Sequence, residues 1–532
     1  MRRSFSPRRA LITLSFTGAT FIGAPADAQD TVVNEVNAQY ARVPAPKRSD
    51  RVLLPLVAKM DAPPASVARV EQAMLLPAGA AAWSAAEAWA LAPNQKAVLV
   101  ALDQVTNEED PAEAMVFAQP YGAEAVGATS EGVTLIRAEL YTELGDPPML
   151  AGAKFQYLAG LERVACLVHV EATRLAAAGD PGAAIDGLAD WVFFGREMTD
   201  RAFFKEARWG YATMIATLDR VRDIAYTDFR AGGRKLSPDR IGATLQRLRE
   251  DGYLRVDRLV FPMGDRAATQ QVIDRVFIAR GTADPATFAP TMARLASTDR
   301  PLRLFSESAK WEAAGAITAG WFDQHEMAKK ITDEWRARWD LRPFDPLLSL
   351  QTEYEKMGRA SYAAISAVLP DAGTLLNDRE VLKAQLVGTR CALGLVAFYY
   401  GAGNFPLDLA AIRPRFVRTL GGDPFSSAGR DRGGEPPLQF FVPIRDTKDR
   451  FGARETPRPH EVRVITPGGE GNFLTRVGDD QFVLYSVGPN GRKEWAENVT
   501  AAPVKNSIGD LLLWPPVISL HREELRATGK LR

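Results

Sequence analysis

The chain of 532 residues contains only two cysteines and four histidines. Two cysteines cannot build a disulfide framework, and a protein of this length needs none to bury a core. Cys166 and Cys391 both lie in apolar helical surroundings, where an unpaired thiol behaves as a small buried hydrophobe. Two free buried thiols are expected, with one bridge between them as the alternative. The histidines leave little material for metal or triad chemistry. His169 shares a helix face with Cys166 but has no third ligand near in sequence, and His325-Glu326 fails as a zinc-protease helix because position 329 is Lys. An excess of one charge sign is also missing: 65 Lys and Arg balance 65 Asp and Glu, so no basic field points to nucleic acid. GAGNFP and GGEGNF lack the strand-turn-helix setting of a dinucleotide loop, and GATSEG at 127–132 is one residue too long for a nucleophile elbow.

What is present begins with an address. Four arginines at 2, 3, 8 and 9 precede an apolar run from Ala10 to Ala24 and an Ala26-x-Ala28 pair, the order of a secretory signal peptide cleaved after Ala28. Arg8-Arg9 leaves the twin-arginine and general secretory routes both open. Removing residues 1–28 takes away four arginines and Asp27, leaving 61 basic and 64 acidic side chains, a near-neutral exported chain. After the signal, the most apolar segment is Cys391 to Tyr400, about half of what a spanning helix needs, so no integral membrane segment is expected.

Residues 29 to about 65 read as a Pro-bearing lead-in with little packing, and the Ala-rich stretch to 145 as a helical subdomain. Residues 146–372 read as a multi-helix array, either a bundle or an irregular solenoid. Its clearest element carries Leu158, Leu161, Ala165, Val168, Ala172 and Leu175 on one face. Gly179 then suits a C-cap, and Asp180-Pro181 an N-cap followed by proline at N1, so an antiparallel hairpin follows. Trp311, Trp321, Trp335 and Trp339 read as fillers of helix interfaces, with the walls of an acidic cleft as the alternative. Asn377 with Glu380 offers a capping box for a long helix ended by Gly401-Ala402-Gly403. Beyond it come short β-type runs, with Gly478-Asp479-Asp480 placed as a hairpin loop and residues 521–532 as a solvated charged tail.

The C-terminal order is specific. Phe405-Pro406 follows the helix; then come Asp423-Pro424-Phe425, the run FVLYSVGPNG with Ser486, Gly488, Pro489 and Gly491, and Gly509-Asp510-Leu511. Over residues 375–516 this resembles the globular part of the major pseudopilins of type II secretion. The resemblance implies a small antiparallel sheet packed on one long helix, and calcium in the loop near Asn490, Glu494, Glu497 and Asp510. It departs from that family in having Asn490 where Asp is typical and in lacking the processed N-terminal hydrophobic helix. The residues make sense without the family as well: Phe482, Val483, Leu484 and Tyr485 give a strand apolar on both faces, and Gly488 and Gly491 permit the reversal after it. The expected fold is therefore mainly α, a helical array followed by an α+β domain at 373–532. The expected function is that of an exported, non-catalytic envelope protein, a scaffold or binding module with a protein partner, and a third reading makes it an accessory of a secretion or pilus-like machine. A secreted hydrolase with acidic catalytic residues in the helical region is the alternative.

Overall fold

The computed structural model describes residues 25–106, 114–249, 252–278, 281–297, 304–341, 344–427, 436–447, 458–465, 472–500 and 509–531. The expected signal segment lies outside these up to residue 24, and Ala28 falls in the first turn of helix α1, Pro25–Ala41. The protein is mainly helical, with a small sheet near the C-terminus.

The stretch read as a loose lead-in is packed. After α1 comes α2, Ser49–Val57, whose Leu53, Leu54 and Val57 are wholly buried in the main apolar cluster. The prolines that suggested a linker, Pro44 and Pro46, sit in and just before a single helical turn, where a missing N–H costs nothing.

Helix α3, Tyr157–Ala177, and helix α4, Pro181–Met198, form the expected hairpin. Gly179 takes a φ of 94°, and Asp180 accepts a hydrogen bond from the Ala183 N–H at 2.9 Å with Pro181 at the first helical position. Helix α5, Phe204–Arg230, packs on α4; helix α6 spans Pro238–Arg247, helix α7 Gly264–Val276 and helix α8 Trp321–Trp339. Both cysteines are buried and not joined in a disulfide. Trp311, Trp335 and Trp339 are buried in helix interfaces, with the Trp339 indole donating to the Leu259 carbonyl at 2.8 Å.

Helix α9 spans Gly373–Ala402 with Ala372 at its N-cap, so Asn377 lies inside the helix and not at its start. Its Glu380 instead pairs with Arg379 and Lys383. The far end matches the sequence: Gly403 closes it with a φ of 77°. The helix is longer in its apolar character than Cys391 to Tyr400 suggested, enough by composition to cross a membrane, and 89% of its most apolar window is buried against neighbours.

Six strands follow: β1 Gln439–Phe441, β2 His460–Ile465, β3 Asn472–Val477, β4 Val483–Ser486, β5 Asn498–Thr500 and β6 Asp510–Trp514. They form one sheet in the order β1-β4-β6-β5-β2-β3. The sheet is mixed rather than antiparallel, because β5 runs parallel to both β2 and β6. Gly478-Asp479-Asp480 makes no hairpin either: β3 pairs with β2, while β4 lies between β1 and β6. Local turn signals cannot reveal such a crossing, since the partner strands lie far away in sequence.

The two apolar faces of β4 are used as the sequence implied. Phe482 and Leu484 join the cluster shared with the helices, while Val483 and Tyr485 join a second cluster on the opposite face. Helix α9 lies directly on the sheet, where a Cβ on Gly388 would stand 2.5 Å from Leu513 Cδ1. Trp514 stacks on Phe482 with ring centroids 5.0 Å apart and meets Tyr226 of α5 edge-on.

The charged tail starts as a helix anchored at the buried Arg522 and is exposed from Arg526 to Lys530, as expected of a solvated end. Helix α10, Val517–Ala527, buries Val517 and Leu520 against the outer sheet face. Its Arg522 reaches α5, donating from Nη1 to Asp223 Oδ1 and from Nη2 to Asp223 Oδ2, both at 2.8 Å. Arg220 and Ser519 also donate to Asp223. Burial alone would raise the Asp223 carboxyl, but Arg522 and Arg220 outweigh that and hold it well below the usual carboxylate range. Removing one partner of such a pair strands a buried charge, so Arg522→Ala should cost about 3–5 kcal/mol. Because the folded-state value is depressed, that stabilisation is present above the unfolded carboxylate value near ~3.9 and fades below it. Urea unfolding at neutral and acid pH should show the variant's deficit shrinking as pH falls; a deficit under about 1 kcal/mol at neutral pH would contradict the assignment.

Candidate functional site

The loop after β4 is the place where the pseudopilin resemblance implies calcium. Asp423 organises one side of it: Oδ1 accepts from the Phe425 N–H at 3.0 Å and the Ser486 hydroxyl at 2.7 Å, and Oδ2 from the Val487 N–H at 3.0 Å. The first contact is the turn expected of Asp423-Pro424; the other two tie that turn to the end of β4. Gly488 and Gly491 adopt φ values of 71° and 65°, and the Gly491 N–H closes the reversal on the Gly488 carbonyl at 2.9 Å. A Cβ on Gly488 would lie 3.0 Å from the Gly509 carbonyl oxygen, so the loop presses on the entry to β6.

Asp510 organises the other side. It is fully buried and accepts from the Ala496 N–H at 2.6 Å and the Glu494 N–H at 3.3 Å. These bonds fasten a segment in which Trp495 and Ala496 both take left-handed backbone, with φ of 61° and 58°. Asn490 donates from Nδ2 to Glu494 Oε1 at 3.1 Å and accepts from the Arg492 N–H at 2.9 Å. Asn490, Glu494 and Asp510 are thus brought together. Glu497 has an exposed side chain and enters through its backbone, whose carbonyl accepts from the Arg463 N–H at 2.8 Å.

This set does not fit a calcium cage. Calcium takes six to eight oxygens, whereas here each Asp510 oxygen accepts from a backbone N–H, and the Asn490 amide nitrogen faces the Glu494 carboxylate. Among the described residues no group of three or more His, Cys, Asp or Glu is arranged to hold a metal ion. The loop's polar groups serve its own geometry. Phe405 is buried beside Phe482, with ring centroids 5.3 Å apart. The Arg445 guanidinium donates to the Phe405 and Pro406 carbonyls, both at 2.9 Å, fixing the turn between α9 and the sheet.

The acidic residues of the helical region were the alternative site. The deepest of them are closed. Glu206 on α5 accepts from the Tyr121 hydroxyl at 2.7 Å, from the Tyr157 hydroxyl and from Arg201 Nε at 2.8 Å. Arg201 lies over the rings of Tyr40 and Tyr121 at 4.2 and 4.6 Å. Glu197 accepts from the Ser49 hydroxyl, and burial pushes its carboxyl well above the ordinary range. His169 is buried, and burial first, with Arg220 second, pushes it down to about 3, so it stays neutral. None of these groups lines the two cavities next described. An open groove of about 420 Å³ runs along α8 past Asp323, Glu326, Lys330, Asp333 and Tyr362. A space of about 20 Å³ lies between α7 and α8 beside Asp265, whose carboxyl burial pushes up to about 7.

Sequence reading missed the Glu206 and Asp223 clusters because their members are separated by up to 299 positions. Their one trace was the placement of arginines and acids on the apolar sides of otherwise amphipathic helices. No family model, curated protein or solved structure matches the chain.

Asp510 gives this region a testable pH dependence. Burial, helped by the charges of Glu494 and Asp423 and opposed by its two N–H bonds, pushes its carboxyl up to about 7. A folded-state value above the unfolded one means the acid form is favoured by folding, and that advantage declines as pH rises from about 4 through 7. The stability lead of the natural chain over Asp510→Asn should therefore narrow by a few kcal/mol, in order of magnitude, across that window. Thermal melts of both chains across the range test this, and a lead that is constant with pH contradicts it.

Proposed function

We propose that this is an exported, non-catalytic envelope protein, a scaffold or binding module whose C-terminal part is a pseudopilin-like α+β domain. The observation that carries the reading is the fate of its acidic groups. Asp223 and Glu206 are spent on holding helices together, and a carboxylate saturated by fixed donors is poorly placed to exchange protons with a substrate. The ordered features of the pseudopilin resemblance sit on a sheet laid against one long helix, which supports that part of the proposal. The mixed pairing of the sheet speaks for a variant of that arrangement.

The alternative, a secreted hydrolase, has its place in the groove on α8, where Asp323, Glu326 and Asp333 share an open surface with Lys329 and Lys330. Replacing all three carboxylates by amides separates the two readings. The scaffold reading expects capture of a protein partner from envelope extracts to persist, with no hydrolytic activity to lose.

Export is tested by fractionation of cells making the natural chain. The mature protein should be recovered from the periplasm, envelope or medium with Gln29 as its first residue. Retention of Met1 in a cytoplasmic pool would contradict the reading, and failure to recover any secretion component with the protein would remove the link to such a machine.

A further inference from the structure

The sheet has two edges, and they differ. At one end β1 is three residues long. At the other, β3 runs for six residues in unbroken register with β2, from Asn472 opposite Ile465 to Val477 opposite His460. Among the described residues no strand pairs with the outer side of β3. A free edge presents unpaired N–H and C=O groups, and proteins usually blunt it with proline, a bulge, charged side chains or a covering helix or loop. β3 has no proline, no bulge and no inward charge. Its inward positions are Phe473, Thr475 and Val477, opposite the buried Val464, Val462 and His460. Its one charge, Arg476, points outward and is engaged with Glu461 at 2.8 Å. Leu474, also outward, is 65% exposed.

We infer that β3 is a dimerisation edge, occupied by β3 of a second copy of this chain in antiparallel register. The strand's own sequence argues for that occupant. A twofold axis that keeps the covered faces of both sheets on one side requires opposed residues to share a face, so the axis must pass through a residue rather than between two. Centred on Leu474, the pairing sets the exposed leucines against each other, Phe473 against Thr475, and Asn472 against Arg476. Like charges are nowhere directly opposed. Centred on Thr475, it would leave each exposed leucine facing Arg476, and the leucine-centred register is the better match. The balanced 65 basic and 65 acidic side chains add no long-range repulsion between copies. One strand edge of roughly 20 Å buries less than the area of a standard stable interface, so the dimer dissociates on dilution.

Sedimentation or light scattering of the full chain over a dilution series of about a hundredfold tests this. The molar mass should rise from that of one copy to about twice that with concentration. Leu474→Arg sets two cations against each other at the axis and should hold the mass at one copy, with an unchanged far-ultraviolet spectrum because the side chain it replaces is exposed. Leu474→Cys should form an intermolecular disulfide under mild oxidation, since opposed strand residues are about 4.5–5.5 Å apart at Cα and the natural cysteines are buried. A single-copy mass throughout would overturn the inference. So would a dimer that survives Leu474→Arg, or one that cross-links through Thr475→Cys instead of Leu474→Cys.

Discussion

The bidentate pair between Arg522 and Asp223 holds the two ends of this architecture together. Asp223 sits in the last third of α5, the longest helix of the array among the described residues, and Arg522 sits on α10, the final described helix. Two buried charges lose their hydration, and their attraction offsets that loss only when geometry is good and the remaining lone pairs and N–H groups are satisfied. Both conditions are met: the carboxylate also accepts from Arg220 and Ser519, and the guanidinium also donates to the Leu75 and Met74 carbonyls. One ion pair therefore ties together the N-terminal helices, the array and the element that covers the sheet.

The same device recurs at other joints. Arg222 of α5 reaches across to α9, donating to Thr389 Oγ1 at 2.6 Å and to Gln385. Arg201 and Glu206 gather the tyrosines of α1, of the segment around Tyr121 and of the start of α3. Buried polar networks of this sort specify one packing among the many that apolar surfaces alone would tolerate, because any shift strands a donor or a charge. They also account for a helical protein rich in carboxylates whose deepest carboxylates face donors rather than solvent. A frame fixed in this way is well suited to presenting surfaces, among them the free edge of β3.

Much of the fold was legible where the signal is local. Gly179-Asp180-Pro181, the Gly403 cap, the Asp423-Pro424 turn and the doubly apolar β4 each act within a few residues, and each adopts the expected conformation. The misreadings share one cause, long-range partners. Asn377 carries a good capping signal, yet packing extends α9 through it to Gly373. Residues 521–532 look solvated by composition, yet Arg522 has a partner 299 positions away. The sheet looked like a run of hairpins, but β4 and β6 pair with each other while β2, β3 and β5 assemble beside them. At the candidate ion loop Asn490, Glu494 and Asp510 come together, with Asp510 turned toward N–H donors and Asn490 toward a carboxylate.

The central claim is that the helical array and the C-terminal sheet are a single cooperative unit joined through α5, α9 and α10. Native-state hydrogen exchange followed by mass spectrometry measures this directly. The account predicts that slow amides in α5, α9, β4 and β6 open together, with one common free energy and one common dependence on denaturant. Exchange of the β4 and β6 amides through a separate, lower-energy opening while α5 and α9 stay protected would contradict it.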